Sequence, residues 1–110
     1  MHEVGITAEL IESVAAQTHG ARVGRIVLEI GALSAVLPDA VRFCFDLCRP
    51  GTPLEEARLD IVELPGRARC RACQRDVELR EAYGVCACGS SDLQWLSGEE
   101  LTIRLIELLP

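Results

Sequence analysis

Cys70-x-x-Cys73, followed after twelve residues by Cys86-x-Cys88, limits what this chain can fold into more than any other stretch. Four thiols fall within nineteen residues. Residues 67 to 93 around them hold few large aliphatics and no sustained helical periodicity. Such a segment cannot fold on apolar burial alone, so the spacing predicts a small lobe stapled by a metal ion. Zinc favours a tetrahedron of thiolates in a structural site, and each cysteine turn presents two sulfurs. Gly89 follows Cys88 directly, where a residue without Cβ lets the backbone wrap round the ion. Ligation requires deprotonated thiols, so binding couples to folding and to pH. A divalent ion leaves about two negative charges on four thiolates. Arg67, Arg69, Arg71, Arg75 and Arg80 are near in sequence to offset them. The second turn is tighter than Cys-x-x-Cys, which predicts altered geometry at Cys86. The alternatives are a redox pair at Cys70 and Cys73, an iron–sulfur cluster, or thiols without metal. The redox pair lacks the βαβ context in which it usually sits.

The rest of the chain alternates helix and strand. Leu10, Ile11, Val14 and Ala15 recur at helical spacing within residues 4 to 18, and Gly20 is a natural stop. Residues 22 to 30 switch to period two: Ile26, Leu28 and Ile30 share one face, and Arg25, Val27 and Glu29 the other. Pro38 suits the first turn of a second helix with Val41, Cys44, Phe45 and Cys48 on its apolar side. Cys44 and Cys48 lie four apart there, in the register of small buried hydrophobes, with transient metal contact as the alternative. Thr52-Pro53-Leu54-Glu55 has the form of a capping box and predicts a short helical turn. Leu59 to Leu64 and Leu101 to Leu109 read as strands. The last is apolar on both faces except for Thr102, Arg104 and Glu107, which predicts burial on one face and partial cover on the other. The two strands flank the cysteine segment, so that segment reads as an insertion between elements of one sheet.

Met1-His2-Glu3 is the second candidate metal site. The terminal amine, the His2 amide and the His2 imidazole stand in sequence, and a deprotonated amide closes a five- and a six-membered ring on one ion. Three planar nitrogens suit nickel(II) or copper(II), with the Glu3 carboxylate supplying or orienting a further ligand. Histidine is large, so Met1 is expected to be retained. The bland alternative is a histidine that frays in solvent. His19, before Gly20, reads as a polar residue at a helix end.

At 110 residues the chain is one domain, or a small domain with a satellite. A net charge of −6 makes it a poor candidate for wrapping a phosphate backbone, and Tyr83 and Trp95 are isolated, offering no platform for bases. No basic stretch followed by an apolar run opens the sequence, and no window is long and apolar enough to span a membrane. A cytoplasmic location is therefore expected, where cysteines serve as metal ligands or core thiols sooner than as disulfides.

The sequence resembles the HypA family of hydrogenase maturation factors, which are nickel metallochaperones. The resemblance rests on Met1-His2-Glu3, Gly31-Ala32-Leu33-Ser34, Gly51-Thr52-Pro53-Leu54-Glu55, Cys70-x-x-Cys73, Cys88-Gly89-Ser90 and Ser97-Gly98-Glu99-Glu100-Leu101, and it runs from end to end. It implies an α/β fold of the α+β type, with two helices on a three-stranded antiparallel sheet and an inserted zinc-binding lobe. The α/β domain is expected at 1–64 plus 99–110 and the lobe at 65–98. The resemblance further implies exchangeable nickel at Met1, His2 and Glu3, and structural zinc on Cys70, Cys73, Cys86 and Cys88. The implied partners are the GTPase HypB, the immature nickel–iron hydrogenase large subunit and, in some members, urease maturation. Neither catalysis nor a nucleic-acid or membrane partner is implied. The usual second cysteine turn of the family is Cys-x-x-Cys, so this chain is one residue short there. The rival readings are a zinc-ribbon adaptor that binds protein or nucleic acid without delivering metal, and a hydrolase. A hydrolase would need an open metal position that four cysteines close.

Overall fold

The computed structural model describes residues 2–110, with side chains from Glu3 onward. In chain order the elements are α1 (His2–Gln17), β1 (Val23–Gly31), α2 (Pro38–Cys48), β2 (Arg58–Leu64), β3 (Gly66–Cys70), β4 (Asp76–Leu79), β5 (Leu93–Ser97) and β6 (Leu101–Leu108). This is an α+β fold with two helices and two three-stranded sheets, ordered β2-β1-β6 and β4-β3-β5. The chain divides into two compact units. One holds the segment ending at Leu28, Val36–Val62 and Ile103–Pro110. The other holds Glu29–Ala35 and Glu63–Thr102. The insertion expected at 65–98 falls inside the second unit, which also takes Glu29–Ala35 from far upstream.

Along β1 the period-two reading holds. Ile26, Leu28 and Ile30 are at most 2% exposed, while Arg25, Val27 and Glu29 are half-buried. Helix α1 contributes Leu10, Ile11 and Val14 to the core, and α2 contributes Val41, Cys44 and Phe45. Each large aliphatic so buried stabilises by about 1.5–3 kcal/mol. Helix α1 stops through a paired motif: His19 N–H donates to Ala16 O and Gly20 N–H to Ala15 O. This is the Schellman pattern, and it puts His19 (φ 55°) in the left-handed region at the position glycine usually fills, with Gly20 (φ 77°) left-handed after it. Pro38 stands at the start of α2, as expected. Thr52–Glu55 forms hydrogen-bonded turns, the short turn expected there and not a longer helix. Thr52 Oγ1 accepts from Leu54 N–H and donates to Arg49 O, and Glu55 N–H donates to Thr52 O.

The sheet differs from the antiparallel one expected. Strand β6 does run against β1, since Leu109 N–H donates to Arg22 O and Gly31 N–H to Glu100 O. Strand β2 runs with β1: Val23 N–H donates to Pro53 O, and Ala32 N–H to Leu64 O. The sheet is mixed because α2 lies between β1 and β2 as a crossover, and a crossover returns the chain in the same direction. Strand β6 also departs from expectation. It is an edge strand, and Leu101, Leu105 and Leu108 are exposed while Ile103 and Ile106 are half-buried. One side chain ties the three strands together. Arg25 on β1 donates to Asp60 Oδ2 on β2 at 2.8 Å and to Glu107 Oε1 on β6 at 2.9 Å.

In the second unit β3 is central, paired antiparallel with β4 and β5. Ala68 and Leu79 pack with Leu33 into a small core, with Val77 and Leu93 against it. The loop after β1 is fastened to the loop before β6, since Leu33 N–H donates to Gly98 O at 2.7 Å. Glycine is required at that meeting. A Cβ on Gly31 would drive into the Gly98 carbonyl, and one on Gly98 (φ 116°) would meet Gly66 Cα at 2.5 Å.

Candidate metal centre

Strand β3 delivers the first thiol. Gly66, Ala68 and Cys70 point inward along it, alternating with exposed Arg67 and Arg69. The chain then turns back on itself. Gln74 N–H donates to Cys70 O and Cys70 N–H to Arg75 O, both at 2.8 Å, with Gln74 in the left-handed region at φ 68°. The second cysteine turn is closed in the same manner. Gly89 N–H donates to Cys86 O and Cys86 N–H to Ser90 O, again at 2.8 Å, and Gly89 takes φ 95°. Arg71 N–H donates to Asp92 O at 3.0 Å, fixing the first turn to the chain entering β5.

These turns bring all four thiols together. Cys70 Sγ lies 3.7 Å from Cys88 Sγ and Cys73 Sγ lies 3.5 Å from Cys86 Sγ. All four sulfurs are within 4.8 Å of one another, and none is in a disulfide. A tetrahedron with metal–sulfur bonds of about 2.3 Å has edges of about 3.8 Å. The four residues therefore fit one thiophilic divalent ion with little movement. Cys70 and Cys86 are buried, Cys73 is half-buried and Cys88 is exposed. The shortened spacing does not keep Cys86 out of the cluster, because the Gly89 turn supplies the bend that a longer loop would otherwise provide.

The turn also prepares a charge. The Cys70 thiol is drawn down to about 6, first by the Cys73 backbone N–H and then by that of Ala72 and the thiols of Cys88 and Cys73, against burial. At Cys73 the Arg75 N–H pulls downward. Burial and the neighbouring thiols of Cys86, Cys88 and Cys70 outweigh it and leave Cys73 at about 11. Crowded, hydrogen-bonded sulfurs thus divide their charge unequally, with Cys70 lowered and Cys73 raised. Two of the five arginines expected to offset the cluster are held by carboxylates of the lobe: Arg69 by Asp76 at 2.7 Å and Arg71 by Asp92 at 2.9 Å. Four thiolates fill a tetrahedron, leaving no position for water or substrate, so this geometry staples and does not catalyse.

The other candidate lies at the chain start. Met1 and the His2 side chain lie outside the described residues; His2 enters as the first residue of α1. Glu3 is in the first turn, where its Oε2 accepts from Leu37 N–H at 3.4 Å. Its carboxyl is held below the usual value by a backbone N–H bond of its own and by that of Leu37. Thr7, fully buried, donates to Glu3 O at 2.5 Å and pins that turn. Cys44 is buried in the core of the first unit, and Cys48 is half-buried. Leu33 has a role that the sequence reading missed. It fills the core beneath β3, and only its place in the Gly31–Ser34 stretch signalled it.

Comparison with known proteins agrees with this arrangement. Residues 1–108 match the family described as "Hydrogenase/urease nickel incorporation, metallochaperone, hypA". A hydrogenase maturation factor HypA from Trichormus variabilis is 51% identical over 108 residues, covering 98% of this chain and 96% of the relative. One from Geobacter metallireducens is 42% identical over 109 residues, covering 98% and 99%. Among solved structures, the nickel metallochaperone HypA from Helicobacter pylori is similar with a TM-score of 0.64 and 26% identity, over 97% of each chain.

Proposed function

Because the chain belongs to the HypA family of nickel metallochaperones for hydrogenase maturation, we propose that it carries one nickel(II) ion at Met1, His2 and Glu3 and delivers it to the immature nickel–iron hydrogenase large subunit. Members of this family are chaperones, not enzymes. The observation that carries the reading is the family match from residue 1 to 108, which spans both the N-terminal segment and the cysteine cluster. In this reading Cys70, Cys73, Cys86 and Cys88 hold structural zinc. The sulfur separations near those of a zinc tetrahedron support that assignment. Nickel is cargo, and it sits where nitrogen ligands can be reprotonated and opened. Closed thiolate sites hold their metal too tightly for that task. Glu3 supports the N-terminal site because its carboxyl is already held in the charged form. The work is done in the cytoplasm with a HypB-type GTPase as the partner that gives or receives nickel, and urease maturation is a second destination.

The test is a nickel titration of the zinc-loaded, untagged chain, followed by visible absorption beside His2→Ala. One equivalent giving a planar nitrogen-ligand band in the native chain and none in the variant is the expected outcome. An identical band in both proteins would move the cargo site to the cysteines or elsewhere.

A further inference from the structure

Between helix α2 and strand β2 lies an open cleft of about 250 Å³ that the metal sites do not use. Its floor is apolar: Phe45, Ala57 and Leu59 are all buried. Three arginines, Arg42, Arg49 and Arg58, line it in a chain whose net charge is −6. We propose that this cleft is an oxyanion-binding site, taking a phosphate or a carboxylate group.

The arginines are held in place before any ligand arrives. Arg42 Nη1 donates to Leu59 O at 2.8 Å and Arg49 Nη1 to Ala57 O at 2.9 Å. Those acceptors are two residues apart. Arg42 stands on α2 and Arg49, seven residues on, caps its C-terminus in helical conformation, which places them on one face two turns from each other. Arg49 also lies over the Phe45 ring, 5.5 Å from its centroid. A guanidinium so anchored loses less freedom on binding than a free one. Each guanidinium has five N–H donors, and Arg42 spends one of them on Leu59. Arg58 reaches Asp60 Oδ2 with Nε and Nη2, which leaves Nη1 for a ligand. Asp46 is the one carboxylate lining the cleft, and it pairs with Arg49 at 3.2 Å. Asp60 pairs with Arg58 from beside the cleft, so three cations meet two anions, and the positive charge left over an apolar floor favours an anion; the fork geometry of arginine matches phosphate and carboxylate alike.

The two anchoring bonds have a simpler purpose as well: they cover a carbonyl of β2, an edge strand, and the one just before it. Edge cover alone predicts no ligand, so binding separates the two. The full-length, zinc-loaded chain would be titrated with sodium phosphate against sodium chloride at matched ionic strength, following the arginine Nε–H resonances. Saturable shifts at Arg42, Arg49 and Arg58 are expected. Arg42→Gln keeps a donor for Leu59 O but loses the charge, and it should weaken binding by about tenfold. Asp46→Asn should tighten it. Pyrophosphate binding above a diglutamate peptide would identify phosphate groups as the natural ligand, and the reverse order would identify a partner's carboxylates. No saturable shift with phosphate or with the diglutamate peptide, or equal affinity in Arg42→Gln, would reduce the arginines to edge cover and overturn the proposal.

Discussion

His19 shows how a single residue can work against its own position. It occupies the left-handed site that ends α1, where a side chain costs about 1–2 kcal/mol and glycine costs nothing in the folded state. Glycine loses more freedom on folding, which returns part of that gain. His19→Gly should therefore stabilise the chain by about 0.5 kcal/mol, seen as a rise in melting temperature, while His19→Val should lower it. The sequence pointed to Gly20 as the stop, and Gly20 does sit in the motif, one place beyond the strained residue. Single residues were legible where chemistry is local. The four cysteines announced their cluster by spacing, because a turn of three or four residues fixes where two sulfurs go. Leu33 did not announce itself, since one apolar residue in a loop carries no period.

Among the elements, faces were legible and neighbours were not. Period two placed Ile26, Leu28 and Ile30 inside, but alternation looks the same whether the next strand runs with β1 or against it. The direction of β2 was set by the helix between them. The exposure of β6 was set by its edge position, so its apolar residues misled. The Arg25 clamp across these three strands has a pH signature. Asp60 is held below its ordinary 3.8, first by its hydrogen bond from Arg25 and then by Arg58. Glu107 is held below 4.5, mainly by Arg25. Depressed carboxyls contribute stability that is present above those ordinary values and lost as pH falls through the folded ones. Below about pH 4 the native chain should lose melting temperature more steeply than Arg25→Gln, in which both partners titrate nearer their ordinary values. Parallel curves would show that the clamp contributes nothing, as many exposed ion pairs do not.

At the scale of the whole molecule the two units rest on different physics. The first has a core of aliphatic side chains from both helices and the sheet. The second has a small core of Leu33, Ala68 and Leu79 and a set of thiols, so under the proposed zinc assignment the metal would supply folding energy that apolar area does not. If the cysteines hold zinc as proposed, chelation should leave amide protection in Ile26–Leu28 and Val41–Phe45 and abolish it in β3 and β5. Hydrogen exchange with and without a strong chelator would measure this. Uniform loss in both units would mean that the aliphatic core is not self-sufficient. Cys86→Ser should act like partial chelation, since Cys86 is buried among the ligands, whereas exposed Cys88 leaves room for a water to stand in.

The crossing of Gly31 and Gly98 has a bearing on how such chains vary. Neither position has room for so much as a methyl group, and each excludes it because of the other's backbone or that of Gly66. A saturation library scored for folded protein should show two blank columns there, beside a permissive one at exposed Ala32. A lineage that loses one of these glycines cannot regain the fold by adjusting side chains nearby, because the obstacle is main chain. Such positions answer to the main chain they meet, Gly98 for the one and Gly66 for the other, independently of which metal the molecule carries or to whom it is given.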